Sequence, residues 1–317
     1  MNKFHKTKKI ISIVCISIAS DASIYSTEIK NIFEQLNFKA DDVLNIDAVT
    51  LYEKHKVINI SNMKLSLSQV GLLNKLKDIK GIIAFNTDFS ETGLDFLKNY
   101  KFLTALDLES SKFNKKEIKI LSNINSLKSL SLKNLNLNDS EISFLKDSKI
   151  LEILILDDNP ITDSLLSELN SPRLKELYIS RTKSKCLFLD KNLNFKNLEI
   201  LYFNETPIDI NKDLNFSNLQ KLKYISFFGT NINEISIKSL DKNKKLQYIN
   251  LGNTIATISI LESILQKTAL KDISYNNTKI SKSDFQLLQK KYKVNETEIF
   301  HDCCESFIYE KFLLLNN

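Results

Sequence analysis

Apolar residues recur along this chain with a period of 24. Segments sharing one pattern begin at His55, Ile79, Leu103, Leu127, Leu151, Leu174, Leu198, Leu222, Leu246 and Leu270; only the step from Leu151 to Leu174 is 23. Within a segment, positions 1, 4 and 6 are apolar, position 9 is Thr or Asn, and position 11 is apolar again. The clearest case is Leu151-Glu-Ile-Leu154-Ile-Leu156-Asp-Asp-Asn159-Pro-Ile161. Alternation at 4 and 6 predicts a short strand with one buried face. The position-9 side chain is expected to turn inward where the strand ends and to satisfy backbone groups buried in the turn. Thr87, Thr182, Thr206, Thr230, Thr254, Thr278, Asn159 and Ser111 hold that place. Met63 and Leu135 depart from it, so those two turns should be packed differently.

The second half of each segment carries apolar pairs three residues apart, such as Ile118/Leu121, Ile142/Leu145, Leu166/Leu169 and Phe285/Leu288. That spacing suits a short helix on the outer side. The sixth and seventh segments lack it. Ser184–Asn197 and Asp209–Gln220 are rich in Asn, Lys and Phe, and irregular or 3-10 structure is expected there. The last helix is expected to open on a capping box, Ser283 and Gln286. About five apolar side chains per repeat, at roughly 1.5–3 kcal/mol each, offset ordering entropy only if neighbours stack.

This pattern resembles the leucine-rich repeat family over about residues 55–293. The resemblance implies an α/β solenoid: a curved parallel sheet on the concave side, with short helices or 3-10 segments on the convex side. It also implies a non-catalytic scaffold that binds a protein or peptide on the concave face. The ends then need caps. Residues 21–54 are expected to form a helical N-terminal cap, with helices around Thr27–Leu36 and Asp42–Tyr52. Residues 294–317, with Phe307, Ile308, Phe312, Leu313 and Leu315, are the expected C-terminal cap. Part of the N-terminal cap is similar to an F-box: Ile24, Ile29, Ile32-Phe33 and Leu36, then Asp42-Val43-Leu44, Val49 and Tyr52. It lacks the Leu-Pro opening and the Trp of that motif. The alternative function it implies is substrate recognition for a ubiquitin ligase.

Positions 3 and 5 of each strand should face the concave side and solvent. In repeats five to nine they and position 7 carry Ile153, Ile155, Tyr178, Ile200, Tyr202, Tyr224, Phe228 and Tyr248. Clustered apolar and Tyr side chains on a solvent face mark a binding surface. With Asp157 and Arg181 on the rim they form the candidate partner-binding set. The competing explanation is that Tyr and Ile are good strand formers stacking along a parallel sheet. Ten strands at ~4.8 Å give a face on the order of 45 Å long, which suits a protein or long peptide.

Charge narrows the partner. The chain carries 44 basic and 38 acidic residues, net +6. On the concave positions Lys56, Lys80, Lys128, Lys133, Lys175, Arg181, Lys223 and Lys271 are balanced by Asp107, Glu109, Glu152, Asp157, Asp158, Glu176, Glu199, Glu205 and Asp272. A nucleic-acid groove needs clustered cations to neutralise phosphates, so no nucleic acid is expected there.

The N-terminus reads Lys3, Lys6, Lys8 and Lys9, then an apolar run from Ile10 to Ala19 with small residues at its end. That is the layout of a secretory signal over residues 1–20, which predicts a protein outside the cell or in the periplasm, an exported bacterial effector among the expected roles. A buried strand at Ile10–Ile18 is the alternative and would leave the protein cytoplasmic. The run is too short to span a bilayer, and the protein is expected to be a monomer.

Catalytic chemistry is sparse. The three His are His5, His55 and His301, and no phosphate loop or hydrolase motif occurs. His301-Asp302-Cys303-Cys304-Glu305 places two thiols beside an imidazole. A structural zinc site wants about four ligands and a thiolate enzyme needs a shaped pocket. The sequence therefore yields no catalytic residue, no metal site and no cofactor.

Overall fold

The computed structural model describes residues 27–36, 47–191 and 194–297. Eleven strands form one parallel sheet in strict chain order. They are β1 Val57–Asn59, β2 Gly81–Ile83, β3 Ala105–Asp107, β4 Ser129–Ser131, β5 Ile153–Ile155, β6 Glu176–Tyr178, β7 Ile200–Tyr202, β8 Tyr224–Ser226, β9 Tyr248–Asn250, β10 Asp272–Ser274 and β11 Asn295–Glu296. Each of β1 to β10 occupies positions 3 to 5 of its repeat. The register steps by 24 residues, or by 23 between β5 and β6, where Ile153 pairs with Glu176, and between β10 and β11. The sheet runs one rung further than the ten repeats: Asn295 of β11 pairs with Asp272, so the solenoid extends into the expected C-terminal cap. The rest of that cap, from residue 298, and the signal-like residues 1–20 lie outside the described residues.

Positions 4 and 6 enter one continuous core that runs from Ile32 to Val294. Strands stack at ~4.8 Å, whereas packed helices need 8–10 Å. The strand side is therefore the short side of the wedge and becomes concave.

The outer layer follows the repeats unevenly. It is α-helical in Leu67–Leu73, Asp163–Glu168, Ile258–Leu265 and Lys282–Tyr292, and 3-10 in Asp95–Asn99, Lys115–Asn123, Ser143–Asp147 and Lys238–Lys242. The sixth repeat has a four-residue helix, Phe188–Lys191, and the seventh a 3-10 turn, Phe216–Asn218. Both lie in the stretches expected to be irregular. Aromatic rings supply the missing bulk there: Phe203, Phe216 and Phe227 pack on one another at centroid distances of 4.9–6.4 Å. The last helix starts two residues earlier than expected. Ser281, not Ser283, is its cap, accepting from the Asp284 N–H at 3.1 Å. The chain is still extended at Ser281 because Ile280 before it is held in the core.

At the N-terminus, helix α1 is Thr27–Leu36, as expected, and α2 is Ala48–His55. The second begins later than the expected Asp42, at a cap where the Asp47 carboxylate accepts from the Thr50 N–H at 3.0 Å. Residues 37–46 lie outside the described residues. Ile32, Phe33, Leu36, Leu51 and Tyr52 are buried against the first repeats. These helices thereby cover the core that the first repeat would otherwise leave open.

The position-9 side chains close the turns in two ways. Thr182, Thr230, Thr254 and Thr278 donate to the position-6 carbonyl of their own repeat, at 2.6–2.8 Å. Thr87, Thr206 and Ser111 reach 27 residues back, to Ile60, Ile179 and Ala84 of the preceding repeat. The two departures are thereby explained. Met63 cannot serve Ile60, and Thr87 does so from the next repeat. Leu135 cannot serve Leu132, and Asn159 takes over: its amide donates to the carbonyls of Leu132, Leu156 and Asp157 and accepts from the N–H groups of Leu135 and Leu137.

Position 8 has its own rule. All ten repeats place it in the left-handed region, through Asn62, Asn86, Ser110, Asn134, Asp158, Arg181, Glu205, Gly229, Asn253 and Asn277. Asn and Asp tolerate that conformation better than other non-Gly residues. Gly229 is needed for a second reason, since a Cβ there would lie 2.8 Å from the Glu205 Cγ.

Candidate partner-binding face

The inner face is less open than the sequence implies. Ile153, Ile155 and Tyr178 are at most 5% exposed and form a second apolar cluster with Leu51, Val57, Ile83 and Ala105. Ile200 and Tyr202 pack against its end, and Tyr202 meets Tyr178 edge-on at 5.4 Å. Tyr248 is 3% exposed and Asp157 is buried as well. The expectation that these positions face solvent is therefore corrected for Ile153, Ile155, Tyr178, Tyr248 and Asp157. The physical reason is row stacking. In a parallel sheet, side chains at one position sit ~4.8 Å from their equivalents above and below, and inward curvature squeezes them together.

What stays open is a short strip. Tyr224 is 38% exposed, although it occupies a strand in the middle of the sheet. Ile200 and Tyr202 on the neighbouring strand remain partly exposed, as do Phe228 and Arg181 further along the inner face. The Tyr224 and Tyr248 rings lie 6.3 Å apart. Phe228 lies against Gly252, where a Cβ would come within 2.9 Å of the ring.

The charges are balanced in number but segregated in space. Position 2, just before each strand, carries Lys56, Lys80, Lys128, Lys175, Lys223 and Lys271 against Glu152 and Glu199. The opposite end carries Asp107, Glu109, Asp157, Asp158 and Glu205 against Lys133 and Arg181. Several are paired between repeats. Lys175 meets Glu152 at 2.6 Å, Lys133 meets Glu109 at 2.9 Å, and Arg181 makes a two-pronged contact with Asp158.

Asp107 and Asp157 are the electrostatic outliers. Burial pushes the Asp107 carboxyl up to about 6 and that of Asp157 up to about 7. Their backbone partners, the Glu109 N–H on Asp107 at 2.9 Å and the Ser180 N–H on Asp157, act in the opposite direction but do not win. Burial likewise opposes the Lys133 charge, yet Glu109, Asp157 and Asp158 hold its ammonium above the ordinary value.

Beyond Tyr202 the inner floor changes character. The position-5 row becomes Ser226, Asn250 and Ser274, each at most 1% exposed. The Ser226 and Ser274 hydroxyls and the Asn250 amide nitrogen have no hydrogen-bond partner, and neither has the Asn204 amide oxygen nearby at position 7. Asn250 uses its oxygen locally, accepting from the Gly252 N–H at 2.9 Å. Each orphaned group costs ~1–3 kcal/mol relative to a satisfied one. In the sequence, serine and asparagine within a strand give no sign that their bonds are missing.

Among the described residues no three or more His, Cys, Asp or Glu converge as a metal site. No helix there is long and apolar enough to cross a membrane. Cys186 is buried, and burial holds its thiol far above the usual range. The His301–Glu305 segment lies outside the described residues.

Comparison with known proteins agrees with this architecture. The family model described as FBD-associated F-box protein At5g56370, LRR repeats, matches residues 81–282. The match lies wholly within the repeats and leaves the F-box-like residues 24–54 outside. No curated protein matches. Among solved structures, internalin inlF from Listeria monocytogenes is 18% identical, with 87% of this chain and 96% of that one covered and a TM-score of 0.50. Internalin C2 from the same organism is 19% identical over 79% and 93% of the two chains, with a TM-score of 0.44. A leucine-rich repeat protein of Leptospira interrogans is 17% identical over 74% and 75%, with a TM-score of 0.41. The repeat period, the single parallel sheet in chain order and the family match over more than half its length lead to one conclusion: the chain belongs to the leucine-rich repeat family.

Proposed function

We propose that this protein is a non-catalytic scaffold that docks a protein or peptide on the concave face of repeats six to nine. One observation carries the reading. On an inner face that otherwise buries itself, Tyr224 stays exposed in mid-sheet, with Ile200, Tyr202 and Phe228 part-exposed on the same face. Tyr is a frequent binding anchor, giving large contact area at small entropic cost. The buried members of the candidate set, Ile153, Ile155, Tyr178, Tyr248 and Asp157, flank the strip in neighbouring repeats instead of touching the partner.

The test is affinity capture with the full chain, Tyr224→Arg, and a control outside the strip, Phe102→Arg, chosen because Phe102 is 60% exposed in the turn before β3. A partner held by the wild type and the control, and weakened at least tenfold by Tyr224→Arg, is the expected outcome. Equal capture by all three places the docking surface elsewhere.

A further inference from the structure

We propose that the floor of repeats seven to ten is a built subsite for neutral amide groups, taking the backbone of an extended peptide of two to three residues. This rests on the concave face being the docking surface and names the chemistry it recognises. The argument starts from the orphaned groups. Ser226, Asn250 and Ser274 are consecutive in one row and buried, the two hydroxyls and the Asn250 amide nitrogen are unpaired, and Asn204 adds an unpaired amide oxygen beside them. Buried polar atoms in folded proteins are overwhelmingly paired, so adjacent exceptions on one face point to a ligand that completes them.

The geometry selects the ligand. The floor is bounded by the Tyr224 and Tyr248 rings on one side and by Phe228, lying on Gly252, on the other. Aromatic side chains on both sides of the floor row favour a planar group. The floor row contains no charge, so an ammonium or carboxylate would lose its hydration without a counter-ion. Amides meet both conditions, and they donate and accept, as the floor does: the Asn250 nitrogen donates, the Asn204 oxygen accepts, and the two hydroxyls do either. Three strands at ~4.8 Å span about 10 Å, the length of roughly three extended residues. The floor atoms are shielded from solvent in the free fold, so docking requires the flanking side chains to part.

Two measurements on the full chain test this. First, Ser226→Ala/Ser274→Ala is expected to leave the melting temperature unchanged or higher, because it removes groups that have no bonds in the free fold. A drop of several degrees would show the hydroxyls already satisfied, by ordered water, and overturns the proposal. Second, acetyl-triglycine methylamide is titrated as the probe and followed by NMR of backbone amides. Shifts confined to repeats seven to ten, with affinity lowered about tenfold in the double variant, are expected. No localised shifts, or equal affinity in the variant, also overturns it. The Tyr224→Arg capture experiment stands apart. If it succeeds while the amide probe fails, the concave face docks a partner by other chemistry; if it fails as well, the docking reading falls with it.

Discussion

Replacing Asn159 with alanine should destabilise the protein by about 3–5 kcal/mol, one of the largest effects available from a single turn residue. Asn159 is 1% exposed, and its side chain makes five hydrogen bonds that span its own turn and the preceding one. Its loss leaves the N–H of Leu137 and the carbonyl of Leu132 buried without their side-chain partner, and each orphan costs ~1–3 kcal/mol. The position-9 residue of the preceding repeat cannot compensate, because Leu135 has no hydrogen-bonding group. Thr230→Val is the internal control. Thr230 closes only its own turn, on the Phe227 carbonyl, and its loss should cost about 1–2 kcal/mol. Urea unfolding of both variants measures the difference. Equal losses would mean that the reach between repeats contributes nothing.

The second large effect concerns pH. The Asp157 carboxyl stands at about 7 in the fold against an ordinary 3.8, and Asp107 at about 6. Between those limits the folded chain holds protons that the unfolded chain releases. Stability is therefore greatest below about pH 4 for these two groups and declines as pH rises through 7. Asp157→Asn keeps the acceptor for the Ser180 N–H and removes the charge. It should raise stability at pH 8 by on the order of 2–4 kcal/mol and change little near pH 4. Thermal melts across that range report both ends. A variant less stable than wild type at pH 8 would show that the ionised carboxylate is sustained by Lys133 and Arg181, the cations facing it alongside Asp158 and Glu109.

Most of the scaffold was legible because its determinants are local and repeated. The period fixed where each strand begins, and the helix at Thr27–Leu36 followed from its own apolar spacing. The failures share a cause: they depend on what lies one rung away. The burial of Ile153, Ile155 and Tyr178 comes from rows stacking between repeats, which no single segment displays. The explanation weighed against binding, that such residues stack along the sheet, describes these three well. Tyr224, in the same kind of row, stays 38% exposed and is the exception. Position 8 was legible in part. Asn recurs there five times, which hints at a left-handed backbone, but Arg181, Glu205 and Ser110 in the same place hid the rule. The eleventh rung was missed because Asn295-Glu296 lacks the apolar signature and is recruited by pairing alone.

The turn bonds also set an order in which the molecule should come apart. Thr87, Ser111, Asn159 and Thr206 tie repeats one to two, two to three, four to five and six to seven. From repeat eight onward Thr230, Thr254 and Thr278 close on themselves and tie nothing. Opening of the C-terminal repeats should thus demand less free energy than opening of the N-terminal ones, and hydrogen exchange should be faster for β9 and β10 than for β2 and β3. The docking strip and its polar floor straddle that boundary, so a bound peptide would act as the clamp that the later turns lack.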